Sequence, residues 1–265
     1  MPEKMEEKIT ALLEESGLSE MQEEILSTLV PCVVIKPGEE DEDLPVGSSK
    51  FGGLPDLPAN EPYPEAPGTH LSFLAQYNLK ELASIGEFPF LPESGMLYFF
   101  LAVDEIPPDS PLNPGSWLVF YRSTEAKGLV PALLPEDMPR ELLLPERGIT
   151  FVKEKQLPDV EATEDMEDME DMYFHLMDQL YELENREGGY HQAFGQPLEL
   201  SGDVFKECAL RSGLPGEWTL LLQVDSDPET LEMAWGNLGM LYFCITEEDL
   251  AALRFERTWL VTQAH

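Results

Sequence analysis

The pentapeptide Gly95-Met96-Leu97-Tyr98-Phe99 returns letter for letter as Gly239-Met240-Leu241-Tyr242-Phe243. Internal repetition of this kind marks a structural unit used twice, and it narrows the possible folds before any single element is assigned. The flanks agree. Leu71-Ser72-Phe73-Leu74-Ala75-Gln76 precedes the first copy as Trp218-Thr219-Leu220-Leu221-Leu222-Gln223 precedes the second, each an apolar run ending in Gln. Strand alternation then puts Leu97 and Phe99 on one side, as it does Leu241 and Phe243, with Met96, Tyr98, Met240 and Tyr242 opposite. The expected fold class is α+β, internally duplicated, with mostly antiparallel or mixed β-sheet units and N-terminal helices packed on them.

Those helices are read from periodicity. Residues 3–15 place Ile9, Leu12 and Leu13 on one helical face, with Ser16-Gly17 as a stop. Ser19 and Gln22 have capping-box spacing ahead of the stripe Met21, Ile25 and Leu29, which Pro31 ends. Cys32 to Ile35 reads as a strand, and Glu39 to Asp43 as a solvated acidic loop. From Lys50 to Pro67 glycine and proline are so dense that an ordered irregular loop is expected in place of regular elements. Strands are then expected over 71–77, 96–103 and 117–122, and again over 218–224, 240–245 and 257–263. Thr246 is expected to cap a helix over 247–253, with Glu247, Glu248 and Asp249 in its first turn.

The organisation that follows is an N-terminal helical pair with a strand and acidic loop over 1–49, then a duplicated domain over 50–265. Its first half covers 50–150 and its second 173–265, the whole forming one globular unit. Between the halves, an acidic insertion over 154–172 holds three Glu-Asp-Met triads from Glu164 to Met172. Tyr173 to Glu184 regains helical spacing.

Charge limits the partners. Against 16 basic side chains the 265 residues carry 52 acidic ones, a formal net charge of −36. Nucleic acid and anionic membrane surfaces are recognised by clustered Lys and Arg, so neither is an expected ligand. A basic protein is the expected kind of partner. The N-terminus shows no secretory pattern and no apolar run is long enough to span a bilayer. Cys32, Cys208 and Cys244 are widely spaced among apolar neighbours, which suits buried thiols and a cytoplasmic location.

The segment Lys50-Phe51-Gly52-Gly53-Leu54-Pro55-Asp56-Leu57-Pro58 opens a series of motifs. Leu71 to Leu79 follows, then Leu91-Pro92-Glu93-Ser94-Gly95-Met96-Leu97-Tyr98-Phe99-Phe100, then the segments beginning at Trp218 and Trp235. In this order they resemble the YwqG-like family, also called DUF1963, over about Lys50 to Gln263. The chain departs from that pattern at Tyr63, where the family has Trp, at Ser201, where it has Gln, and at the Glu-Asp-Met insertion. The resemblance implies an α+β fold with an internal duplication and implies no established enzymatic activity.

Candidate site residues come from the repeat and its surroundings. Gln76 and Gln223 end matching strands, and an amide there can pin a loop backbone or read a polar ligand in a cleft between the halves. Gly52 and Gly53 permit close backbone approach beside it. Trp218 and Trp235 bracket the second Gln strand and offer either core packing or a stacking wall. The four histidines lack zinc spacing, so no metal site is expected beyond the possible pair His191 and Asp203. No cofactor motif, serine elbow or recognisable catalytic cysteine is present. The leading expectation is therefore a non-catalytic binding protein with a cleft between duplicated halves. An acidic, immunity-like inhibitor of a basic toxin or nuclease is the first alternative, and a metal-assisted hydrolase the second.

Overall fold

The stretches Ser72–Asn78, Met96–Leu101, Trp218–Asp225 and Met240–Thr246 are buried at almost every position. Strands that hide both faces need a packed layer on each side, so these four demand an interior and an outer cover. The computed structural model, which describes residues 5–15, 19, 22–40, 43–106, 112–156 and 189–264, supplies both. The Glu-Asp-Met triads and the helix expected after them lie outside the described residues.

In chain order the strands are β1 (Val30–Pro37), β2 (Lys50–Phe51), β3 (Asp56–Pro58), β4 (Ser72–Asn78), β5 (Met96–Leu101) and β6 (Trp117–Arg122). They continue with β7 (Leu129–Pro131), β8 (Arg147–Gln156), β9 (Gln192–Ala193), β10 (Trp218–Asp225), β11 (Met240–Thr246) and β12 (Trp259–Gln263). Ten of them form one sheet in the order β12-β11-β10-β9-β1-β8-β2-β4-β5-β6, and every pairing is antiparallel. The sheet curls until its edges approach. The Trp117 indole donates to the Thr258 carbonyl at 2.8 Å, and the Trp117 and Trp259 rings meet at 5.3 Å. The result is a nearly closed barrel in an α+β protein.

The interior is shared across the barrel. Tyr77 on β4 donates its hydroxyl to the Leu221 carbonyl on β10 at 3.3 Å, and Phe99 packs edge-on against Phe243 at 5.4 Å. Leu97, Phe99 and Leu101 lie in this central cluster with Leu241, Phe243 and Ile245, as alternation predicts. Met96, Tyr98 and Phe100 turn to an outer layer with Leu57, Tyr63, Leu71 and Phe73. Met240, Tyr242 and Cys244 turn to another, covered by helix α4 (Val204–Ser212) through Val204 and Cys208.

The remaining helices close the structure locally. Helices α1 (Met5–Glu15) and α2 (Gln22–Thr28) bury Ile9, Leu12, Leu13 and Ile25, and α1 lies against β8. The Gln22 amide reaches across to the Thr10 hydroxyl at 3.2 Å. Helix α3 (Leu79–Ala83), capped by the Asn78 side chain, directs Leu79 and Leu82 into the central cluster. Helix α5 (Glu247–Ala251) begins at Thr246, whose hydroxyl accepts the Asp249 amide as expected.

Two expectations need correction. The Gly/Pro-rich segment is not wholly irregular, because β2 pairs with both β4 and β8 and β3 pairs with β7. Strand β8 crosses residue 150, and β1 is not an appendage but sits in mid-sheet between β9 and β8, joined to β8 by eight residue pairs. Removing residues 1–37 would therefore open the barrel at its centre and leave β8 and β9 with bare edges. Such a truncated chain should show no cooperative urea transition by far-ultraviolet circular dichroism, whereas a chain in which β1 were dispensable would unfold like the intact protein.

Candidate functional site

Gln76 and Gln223 are almost fully buried, at 0% and 1% exposure. Their strand neighbours Ala75, Tyr77, Leu222 and Val224 fill the central cluster, so both amides point outward, and β4 and β10 face each other across the interior. The two amides consequently point away from one another and do not share a cleft. Each is consumed by backbone. Gln76 accepts the Asp56 amide at 2.8 Å and donates to the Ser48 carbonyl at 2.8 Å and the Asp56 carboxylate at 2.8 Å. Gln223 accepts the Leu198 amide at 2.8 Å and donates to the Tyr190 carbonyl at 2.7 Å.

The tyrosine opposite each Gln completes the grip. Tyr98, paired with Gln76, donates to the Asp56 carbonyl at 2.5 Å, and Tyr242, paired with Gln223, donates to the Leu198 carbonyl at 2.6 Å. In each half a Gln holds the N–H and a Tyr the C=O of one residue in the covering chain. Burial pushes the Tyr98 phenol well above its ordinary value, with Asp56 and Glu61 adding to the rise, so it stays a neutral donor.

Gly52 and Gly53 are backbone requirements. They adopt φ of +56° and +71°, and a Cβ on Gly52 would come within 2.0 Å of the Pro145 carbonyl oxygen. The register Lys50↔Gln76 and Gln192↔Gln223 places Phe194 and Gly195 at the corresponding point of the second half, where φ is +58° and +70°. The left-handed backbone is thus present in both halves, but one of its four residues carries a large side chain.

His191 is 0% exposed, packs against Phe51 at 5.3 Å and points into the barrel. Its Nδ1 accepts the Asp225 amide at 3.1 Å, which leaves the proton on Nε2, 3.6 Å from a carboxylate oxygen of buried Asp227. Burial pushes the Asp227 carboxyl up, but His191 and Thr230 outweigh it and hold the group below its ordinary value. Asp227 opens the β10–β11 connection, which sends Leu231, Met233 and Trp235 into the central cluster and is tied to β8 where Arg147 donates to the Thr230 carbonyl at 3.0 Å. The His191 carboxylate partner is therefore Asp227 rather than the expected Asp203. Asp203 is the exposed N-cap of α4 and accepts the Lys206 amide at 2.8 Å. Among the described residues no group of three or more His, Cys, Asp or Glu is placed to hold a metal ion.

The tryptophans divide. Trp235 is core, its indole donating to the Asp225 carbonyl at 3.1 Å. Trp218 packs under α4 and borders a wide, polar surface groove.

A cavity of about 240 Å³ lies where the β4–β5 connection meets β1, β8, the β9–β10 region and α5. Phe88 and Phe194 stack in it with ring centroids 4.9 Å apart and planes at 20°. Phe90 stands at 56% exposure beside them, itself at φ +68°. Glu87, Lys153 and Glu247 supply charge at its rim, and the Lys153 ammonium lies 5.9 Å from the Phe88 ring centre. Sequence reasoning missed these residues. The one available signal was Gln192-Ala193-Phe194-Gly195 laid over Lys50-Phe51-Gly52-Gly53, where a phenylalanine replaces a glycine.

An α+β architecture on a nearly closed antiparallel barrel, with an open aromatic cleft at one end, is the class this geometry defines. The chain belongs to the DUF1963 family, a domain of unknown function whose profile matches residues 49–264. Comparison with curated proteins gives no match. The matched span leaves out β1, although that strand lies in the middle of the sheet. No helix among the described residues is long and apolar enough to cross a membrane.

Two outcomes follow from the buried polar groups. Gln76→Ala and Gln223→Ala each strand a backbone N–H and C=O, and each should lower stability by about 3 kcal/mol in urea titrations. Asp227, with a folded value below the ordinary 3.8, contributes stability that is present above that pH and lost as pH falls through the folded value. Asp227→Asn should therefore flatten the acid side of the stability–pH curve, measured as the urea midpoint between about pH 5 and pH 2.

Proposed function

We propose that this is a non-catalytic binding protein whose ligand enters the aromatic cleft between the two halves. The observation that carries the reading is the left-handed backbone of Phe194. At the corresponding place in the first half, Gly52 adopts the same conformation without strain. A bulky residue held there costs about 1–3 kcal/mol, and such strain concentrates at functional positions. Phe90, at the same cleft, is a second bulky residue with positive φ and is also the most exposed phenylalanine among the described ones. A solvent-open ring held in an unfavourable conformation has no role in folding that a smaller residue would not fill better.

The two halves are read as copies of one five-stranded unit. Support comes from the repeated pentapeptide, the matching register shifts at Phe73/Ala75 and Leu220/Leu222, and the paired Gln–Tyr grips. In the first unit β8 follows β6 in the chain, and in the second β1, from the N-terminus, takes the equivalent place beside β9. A cytosolic setting suits three buried cysteines that form no disulfide, with burial pushing the Cys244 thiol upward.

The test is titration of the protein with N-acetylphenylalanine amide, a neutral apolar probe, followed by NMR. Shift changes should cluster at Phe88, Phe90, Lys153 and Phe194, and Phe90→Gly should abolish them while leaving stability within about 1 kcal/mol of wild type. Shift changes centred on another surface would overturn the reading, as would a large loss of stability in Phe90→Gly.

A further inference from the structure

Resting on that reading of the cleft, we infer that its occupant is a basic segment of a partner protein, which seats an ammonium- or guanidinium-bearing side chain on the Phe88 and Phe90 rings between Glu87 and Glu247. Both carboxylates are exposed at the cleft, and neither forms an ion pair among the described residues. Aromatic faces attract cations through their negative ring quadrupole, and arginine and lysine are the side chains that use this most. The chain already demonstrates the contact. Lys153 holds its ammonium over Phe88 at 5.9 Å, is itself exposed, and forms no ion pair among the described residues, in a protein where acids outnumber bases 52 to 16. It occupies the ring face on a flexible stem and competes with an incoming cation.

Net charge decides between a macromolecular and a small cation. A surplus of 36 negative charges acts on every charge of a polybasic segment, whereas a monovalent amine gains from only one. Because screening confines these fields to about 8 Å at physiological salt, the gain accrues to a ligand lying along the surface rather than to one confined to the pocket. The apolar walls then supply the anchor and the acidic surround the attraction, the usual division between a buried hot spot and its charged rim.

The experiment titrates the intact protein with four probes: a short alternating Lys/Phe peptide, its Glu/Phe counterpart, phenethylamine and N-acetylphenylalanine amide. The Lys/Phe peptide should bind at the cleft at least about tenfold more tightly than each of the others. Its affinity should fall steeply with added salt, fall about tenfold in Phe90→Gly, and rise roughly threefold in Lys153→Met as the resident cation leaves the ring. Equal binding of the Glu/Phe peptide, or weaker binding in Lys153→Met, would overturn the cationic assignment. Phenethylamine matching the Lys/Phe peptide would overturn the partner-protein assignment. In each of those cases a cleft that still takes the neutral amide remains standing, whereas silence of the cleft toward all four probes overturns both readings.

Discussion

Eight consecutive residue pairs between β1 and β8 join what would otherwise be two separate five-stranded sheets, and the interior depends on that ladder. Each half alone presents an apolar inner face. Leu97, Phe99 and Leu101 in one and Leu241, Phe243 and Ile245 in the other can be dry only if the halves face each other. The ladder sets that facing geometry, and contacts such as Tyr77 to Leu221 and Phe99 to Phe243 follow from it. Burial on the second face of the same strands then requires covers, which differ: irregular chain with β3 and β7 over the first half, α4 over the second. What the covers share is how they are fastened, by a Gln and a Tyr gripping the N–H and C=O of a single residue. A buried backbone without such partners would cost more than the apolar cover returns.

Much of this was legible because it is local. A period of two assigned the faces of the pentapeptide, and it assigned β6 to the residues that form it. The Thr246 cap was readable because its partner lies only three residues away. Strands β2 and β3 were not readable, since two or three residues in a Gly/Pro-rich stretch are strands only by virtue of partners about twenty to a hundred residues distant. Strand β8 escaped for a related reason. Its second half, Val152 to Gln156, carries Lys153, Glu154 and Lys155 at the mouth of the barrel and shows no simple apolar alternation.

For the site, the sequence repeat selects Gln76 and Gln223, and the structure shows both amides held by the backbone of covering chain. Gln76 and Gln223 lie on opposite outer faces and cannot converge on one ligand. The carboxylate facing His191 Nε2 belongs to Asp227, in a connection more than thirty residues on, 3.6 Å away. The cleft phenylalanines lack the glycine that usually marks a left-handed backbone, and Phe90 takes its positive φ as the third residue of the Phe88–Leu91 turn, closed by the Leu91 amide on the Phe88 carbonyl at 3.2 Å.

The two five-stranded arrays carry one backbone turn in common and differ in a residue that makes it. Gly52-Gly53 and Phe194-Gly195 trace the same backbone turn, and in both a Cβ at one or more positions is crowded by β8, β1 or the chain leading into them. The first half uses the residue with no side chain to strain. The second uses phenylalanine, accepts the strain, and stacks that ring on Phe88 at an apolar opening of the barrel. Glycine would remove the strain at both places, whereas phenylalanine offsets it by packing its ring against the central cluster and on Phe88.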